Sequence, residues 1–232
     1  QEGEDVLIVG EVWEDASTKI AYSQWRPYFM GEQLDSVMNY PFKEAIIAYA
    51  LTGDKNEFVS TVTHILENYP KESLDVLMNL IDSHDTARAL TALSGVKMPR
   101  KKTDRAAFCL SDTQYALAKK RLKLASTLQY VLPGVPCVFY GDEAGVQGYE
   151  DPLNRVTYPW KREDEELLSH YRALGAFREK YADYLTGETH FVNDNDALII
   201  ERECGKGKMR LVCNNLTACV FVNDERVLEI NA

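Results

Sequence analysis

The sequence has 232 residues, 45% hydrophobic and 27% charged, with a net charge of −10. That is the make-up of a globular chain with enough apolar material for a sizeable core. Its acidic excess argues against nucleic acid or an anionic membrane as partner, because both need cationic neutralisation.

After a polar leader, Val6-Leu7-Ile8-Val9-Gly10-Glu11 is a short apolar run, the pattern of a strand buried on both faces. Leu34 to Asn39, Leu74 to Ile81 and Val135 to Tyr140 resemble it. Pro41 to Leu51 and Lys55 to Tyr69 read as helices between the second and third runs. Asp112 to Leu132 is a third helix, with Leu117, Leu124, Leu128 and Val131 at helical spacing. Ser111-x-x-Gln114 predicts a capping box at its start, and Pro133 predicts its end. A further helix spans about Glu163 to Lys180. Strands alternating with helices predict a parallel sheet with crossover helices, over residues 1–183. Four such units make half of a closed eight-stranded barrel, or an open sheet. No Gly-rich phosphate loop follows any strand, which weakens a nucleotide-binding reading.

Beyond about Tyr184 the texture changes. Glu188–Val192, Ala197–Glu203, Lys208–Cys213, Ala218–Val222 and Arg226–Ile230 recur about every ten residues. Asn193 to Asp196, Gly205 to Gly207 and Asn223-Asp224 punctuate them as turns. Residues 184–232 therefore read as a small antiparallel β domain. The five cysteines form no CxxC pair, and no run of about 18 apolar residues marks a membrane span. A reducing compartment follows, so the cytoplasm is expected, with secretion left open because the true N-terminus is unseen.

Ligands of parallel α/β folds bind at the carboxyl ends of the strands. The residues there are Glu11 with Trp13, Glu14 and Asp15; Asn39-Tyr40; Asp82-Ser83-His84-Asp85; and Gly141-Asp142-Glu143. Acids, a histidine and aromatic rings suit glycosidic cleavage, where one carboxyl protonates the leaving oxygen and carboxylates stabilise an oxocarbenium-like transition state. Asp82, Ser83 or Asp15 could instead simply cap helices. His84-Asp85 as a metal phosphohydrolase pair would need further His and Asp ligands, and His64 sits mid-helix. Trp25 and Tyr28 read as core or interface, and Trp160 as core or platform.

The strings carry more. Gly10-Glu11-Val12-Trp13-Glu14-Asp15 resembles the fifth-strand motif of glycoside hydrolase family 13, the α-amylase family. Leu80-Ile81-Asp82-Ser83-His84-Asp85-Thr86-Ala87-Arg88 resembles its seventh-strand motif, and Phe139-Tyr140-Gly141-Asp142-Glu143-Ala144-Gly145 its eighth. Leu34-Asp35-Ser36-Val37-Met38-Asn39-Tyr40-Pro41-Phe42 is similar to the sixth strand of the neopullulanase/cyclomaltodextrinase/maltogenic amylase branch. Asp151-Pro152-Leu153-Asn154-Arg155 with Tyr158-Pro159-Trp160 is similar to that branch's loop after the eighth strand.

The resemblance implies an α/β fold: the C-terminal half of a (β/α)8 TIM barrel, strands 5–8, followed by a small antiparallel β-sandwich that is cut short. It implies Glu11 as general acid/base and Asp85 as the carboxylate that holds the sugar ring and stabilises the transition state. His84 would bind hydroxyls at the cleavage point, Trp13 the leaving-group side, Asp151 and Arg155 the next sugar, and Tyr40 substrate as well. Asp142 and Glu143 match a structural motif. The implied activity is retaining hydrolysis of α-1,4 glucosidic bonds, with α-1,6 bonds open as well, in maltodextrins, cyclodextrins or pullulan. A transglycosylase and a non-catalytic sugar-binding or structural relative are the alternatives. The family's nucleophile, an aspartate in a Gly-x-Arg-x-Asp string, has no match in this sequence. The chain is therefore expected to be a fragment, inactive alone, partnered by α-glucan substrate and by the N-terminal half of the same enzyme. No cofactor or metal is expected in it, a structural calcium belonging to that other half.

Overall fold

The computed structural model describes residues 6–29 and 33–230. In chain order, β1 (Val9–Gly10) is followed by a small hairpin of β2 (Ile20–Ala21) and β3 (Gln24–Trp25), then by β4 (Ser36–Val37). Helices α1 (Tyr40–Thr52), α2 (Lys55–Asn68) and α3 (Lys71–Asp75) lead to β5 (Met78–Asn79). Then come α4 (Ala89–Leu93), α5 (Lys102–Ala106), α6 (Asp112–Val131), β6 (Val135–Pro136), a 3-10 turn at Asp142–Ala144, α7 (Glu165–Lys180) and α8 (Ala182–Leu185). The remainder is a meander of β7 (Glu188–Val192), β8 (Leu198–Cys204), β9 (Gly207–Asn214), β10 (Thr217–Val222) and β11 (Glu225–Ile230).

The first region is a parallel arc. β1 pairs with β4 and β5 with β6, and a parallel bridge from Met38 to Met78 joins the two pairs. Spatial order thus follows chain order, in line with the tendency of consecutive elements to be neighbours. Pro133 ends α6 and Gly134 turns the chain into β6 with φ of 110°. A side chain at Gly134 would meet the Leu77 carbonyl oxygen at 2.6 Å, so only glycine permits this approach. Inside the arc, Asn39 Nδ2 donates to Asn79 Oδ1 at 3.0 Å, and Asn79 Nδ2 to the Pro133 carbonyl at 2.7 Å. The buried amides of Asn39 and Asn79 are thereby paired at the level of the strands.

Several expectations are corrected here. Val6 to Val9 are not buried on both faces; Leu7, for instance, is 54% exposed. β1 pairs on one side only among the described residues, so its far edge has no strand partner among them. The third run begins as helix α3, and its strand is confined to Met78–Asn79. In α6 the capping box of Ser111 and Gln114 forms, and Leu124, Leu128 and Val131 are buried. Leu117, however, faces solvent, because Ala118 and Leu122 carry the packed side of that first half.

The five C-terminal strands form one antiparallel sheet in the order β11-β10-β9-β8-β7. Two-residue turns with positive φ, such as Asn223 (49°) and Asp224 (66°), match strand twist. Alternation buries Leu198, Ile200, Met209, Leu211, Cys213, Ala218, Val220 and Val222 on one face. The expected sandwich is not what covers them. Among the described residues no second antiparallel sheet of its kind faces it, and the apolar face packs on the helices, in one continuous core with the α/β region. Arg202 pins the junction: it is fully buried and donates to the carbonyls of Val131 at 2.9 Å and Gly187 at 3.0 Å, and to that of Leu185. Burial lowers its guanidinium pKa to about 10.

Candidate active site

Glu11, Tyr40, Ser83, His84 and Asp85 each follow a parallel strand in the connection to the next strand. Glu11 follows β1, Tyr40 opens α1 after β4, and Ser83-His84-Asp85 follow β5. One carboxylate oxygen of Glu11, one ring nitrogen of His84 and one carboxylate oxygen of Asp85 all lie within 4.8 Å of one another. Residues 73 positions apart in sequence are thus brought into one cluster. These are also donors that could converge on a cation, a set that histidine spacing in the sequence did not reveal.

Tyr40 lies beneath this cluster at 1% exposure, its ring stacked on Trp13 with centroids 4.0 Å apart. Its hydroxyl is 3.1 Å from Glu11 Oε1, to which it donates, and 3.2 Å from Ser83 Oγ. Burial, ahead of the nearby Glu11 charge, pushes the phenol up to about 12, so it stays neutral. Tyr40 therefore aims Glu11 and supports Trp13, whose own ring is half exposed. Asn39 makes this placement possible: its side chain accepts from Phe42 N and caps α1, with Pro41 at an N-terminal position that has no N–H to satisfy.

The loop after β6 supplies the far wall. Arg155 Nε lies 2.5 Å from Asp151 Oδ1, and its Nη2 lies 3.5 Å from Asp85 Oδ1. The two predicted pocket-wall residues and Asp85 are therefore one contiguous charged group, all at least a third exposed. Trp160 is 75% exposed beside Tyr158. A cavity of about 600 Å³ between α2 and the β7–β8 edge contains none of these residues.

Sequence reasoning missed Ser83 and Arg88 as site residues. Ser83 Oγ links Tyr40 to the backbone N–H of Asp85, which donates to it at 3.2 Å. Arg88 is completely buried, 3.9 Å over the Phe139 ring, and its Nη1 lies 3.5 Å from Asp142 Oδ1. Asp82 and Asp142 are a buried pair beneath the loop. Burial raises the Asp82 carboxyl to about 6, and burial with the Asp82 charge raises Asp142 well above the carboxylate range. Asp82 also accepts the Ala89 N–H at 2.8 Å, which pairs a donor in the first turn of α4, although the N-cap position itself is Arg88. An Arg in the seventh-strand string six positions after Asp82 was the available signal, and only the fold shows that it turns inward.

A parallel β/α arc with acids, imidazole and an aromatic platform at its carboxyl ends defines a class, and comparison places the chain within it. The sequence profile described as "Alpha amylase, catalytic domain" matches residues 1–206, and the chain belongs to the α-amylase family. It is similar to the cyclomaltodextrinase of Geobacillus thermopakistaniensis (strain MAS1), 30% identical over 217 residues, covering 90% of this chain and 32% of that protein. Neopullulanase 2 of Thermoactinomyces vulgaris is 34% identical over 187 residues, covering 79% of this chain and 27% of its own length. Among solved structures, the type III pullulan hydrolase from Thermococcus kodakarensis superposes with a TM-score of 0.73 at 28% identity, covering 90% of this chain and 34% of that one. The chain thus spans about a third or less of the length of these relatives. Among the described residues no helix is long and apolar enough to cross a membrane.

Proposed function

We propose that this chain is the acid/base-bearing, C-terminal half-barrel of a retaining α-glucan hydrolase acting on maltodextrins, cyclodextrins or pullulan, in the cytoplasm. The observation that carries this reading is the gathering of Glu11, His84 and Asp85 within 4.8 Å at the carboxyl ends of the parallel arc. Glu11, held by the Tyr40 hydroxyl, protonates the glycosidic oxygen and afterwards deprotonates the attacking water. Asp85 and His84 bind the hydroxyls of the ring at the cleavage point, where charge-assisted hydrogen bonds tighten as positive charge develops. Trp13 offers its free face to the leaving-group sugar. Asp151 and Arg155 bind the next sugar on the other side.

A retaining mechanism needs a second carboxyl about 5–5.5 Å from the first, acting as nucleophile. Asp82 and Asp142 are buried at 2% and 1% exposure, away from any substrate, and Asp85 is engaged with Arg155. The nucleophile comes instead from an N-terminal half that pairs with the open edges of β1 and β6, where Leu7 and Val135 are about half exposed. In the test, residues 1–232 alone release no reducing sugar from maltodextrin. Joined to the upstream half, in cis or in trans, they do. Hydrolysis by the 232-residue chain unaided would sink this reading.

A further inference from the structure

We propose that Asn154 is a positioning residue for the loop that carries His84 and Asp85, and that it locks this loop to the Asp151–Arg155 pocket wall. The inference rests on the site reading above but reaches a residue to which neither the chemistry nor the substrate contacts call attention. Asn154 is fully buried. Its side-chain Nδ2 donates to the carbonyl oxygens of Thr86 at 2.7 Å and His84 at 2.8 Å, with Ser83 O at 3.3 Å. A carboxamide has two N–H donors, so the third contact is shared. Three carbonyls around one atom also settle which way the amide points, since the flipped group would set oxygen against oxygen.

These carbonyls lie between β5 and α4, where neither ladder nor helix satisfies them. Ser83 O also accepts the Thr86 N–H at 3.2 Å, but without Asn154 the part-buried His84 and Thr86 carbonyls would lose this donor, which favours a rearranged loop. The connection runs both ways, because Arg88 Nε donates to the Asn154 carbonyl at 2.8 Å and Arg88 N to that of Gly148 at 2.9 Å. The next residue, Arg155, reaches Asp85 at 3.5 Å. Asn154 therefore fixes how far the Asp85 carboxylate stands from both Glu11 and the guanidinium. A misplacement of about 1 Å at such a site costs on the order of 10²-fold in rate.

The test uses Asn154→Leu and Asn154→Asp, which keep the side-chain shape and remove the donors. Backbone hydrogen exchange at residues 83–87 of the 232-residue chain is expected to quicken at least tenfold, with α6 and the antiparallel sheet unchanged. In the joined polypeptide, kcat on maltodextrin falls at least tenfold while KM for maltotriose changes less than threefold. Unchanged exchange at 83–87, or unchanged kcat in a variant whose loop exchanges faster, overturns the proposal. If the leucine variant does not fold, Asn154→Ser, which keeps one donor, is read by the same two measurements. A joined wild-type polypeptide that hydrolyses nothing would remove the functional reading, while the exchange contrast would still decide the role of Asn154 in holding the loop.

Discussion

The two regions of this molecule solve the same problem differently. The antiparallel sheet is built from strands of five to eight residues, each paired with a chain neighbour, and its apolar face is closed by the helices it leans on. The parallel arc has strands of only two residues each, and its two outer strands lack a second partner among the described residues. Antiparallel hairpins complete themselves locally, whereas parallel strands depend on neighbours that arrive through long crossovers. The chemistry proposed above would sit on the dependent region. The other region supplies a packed base, tied on by the buried guanidinium of Arg202.

The sharpest way to break this division is Glu11→Gln in the joined polypeptide. General acid catalysis is worth about 10²–10⁴-fold, and hydrolysis of maltodextrin should fall by that amount. Substrates with very good leaving groups should be spared in the glycosylation step. Glu201→Gln, in the solvent-side ion cluster of the sheet with Lys208 and Arg210, should leave both rates unchanged. Equal losses in the two variants would erase the distinction.

Packing gives the next contrast. Leu211→Ala, at a fully buried sheet position, should cost about 2–5 kcal/mol in denaturant unfolding. Leu7→Ser, at a position 54% exposed, should cost no more than about 0.5 kcal/mol in the 232-residue chain. In the joined polypeptide the Leu7 cost should rise to about 1.5–3 kcal/mol, as for a side chain newly buried. An unchanged Leu7 cost would mean that the β1 edge stays open.

The buried acid pair predicts a pH signature confined to the arc. Burial raises the folded-state pKa values of both Asp82 and Asp142 above the ordinary carboxylate range. The Asp82 contribution to stability is therefore complete below about pH 4 and is lost as pH rises through about 6. The loss is on the order of 1–3 kcal/mol. Asp82→Asn should flatten the dependence of Tm on pH between 4 and 7, and a slope equal to wild type would refute it. Smallest of all, Arg155→Ala should raise KM for maltotriose several-fold or shift its cleavage pattern, with the melting curve unmoved. Identical kinetics and products would leave that loop a purely structural role.

Hydrophobic pattern and turn chemistry were sufficient for the meander, because a period of two and Asn-Asp or Gly-rich turns specify a local pairing. The cap of α6 and the parallel pairing in the arc were equally legible, and the strings around Glu11, His84 and Asp85 pointed to the family. Burial was another matter. An apolar run such as Val6 to Val9 looks the same whether or not a neighbour covers it, and the alternating sheet could not announce that helices rather than a second sheet would face it. Nor could sequence say that Tyr40 lies under Trp13 and aims Glu11, or that Arg88 turns inward onto Asp142. The sequence by itself determined which residue types stand after each strand, because that is local order along the chain. Only the tertiary structure decided which of them meet, since contacts between residues 29 and 70 positions apart, such as Tyr40 with Glu11 and Asn154 with His84, arise from the packing of whole elements.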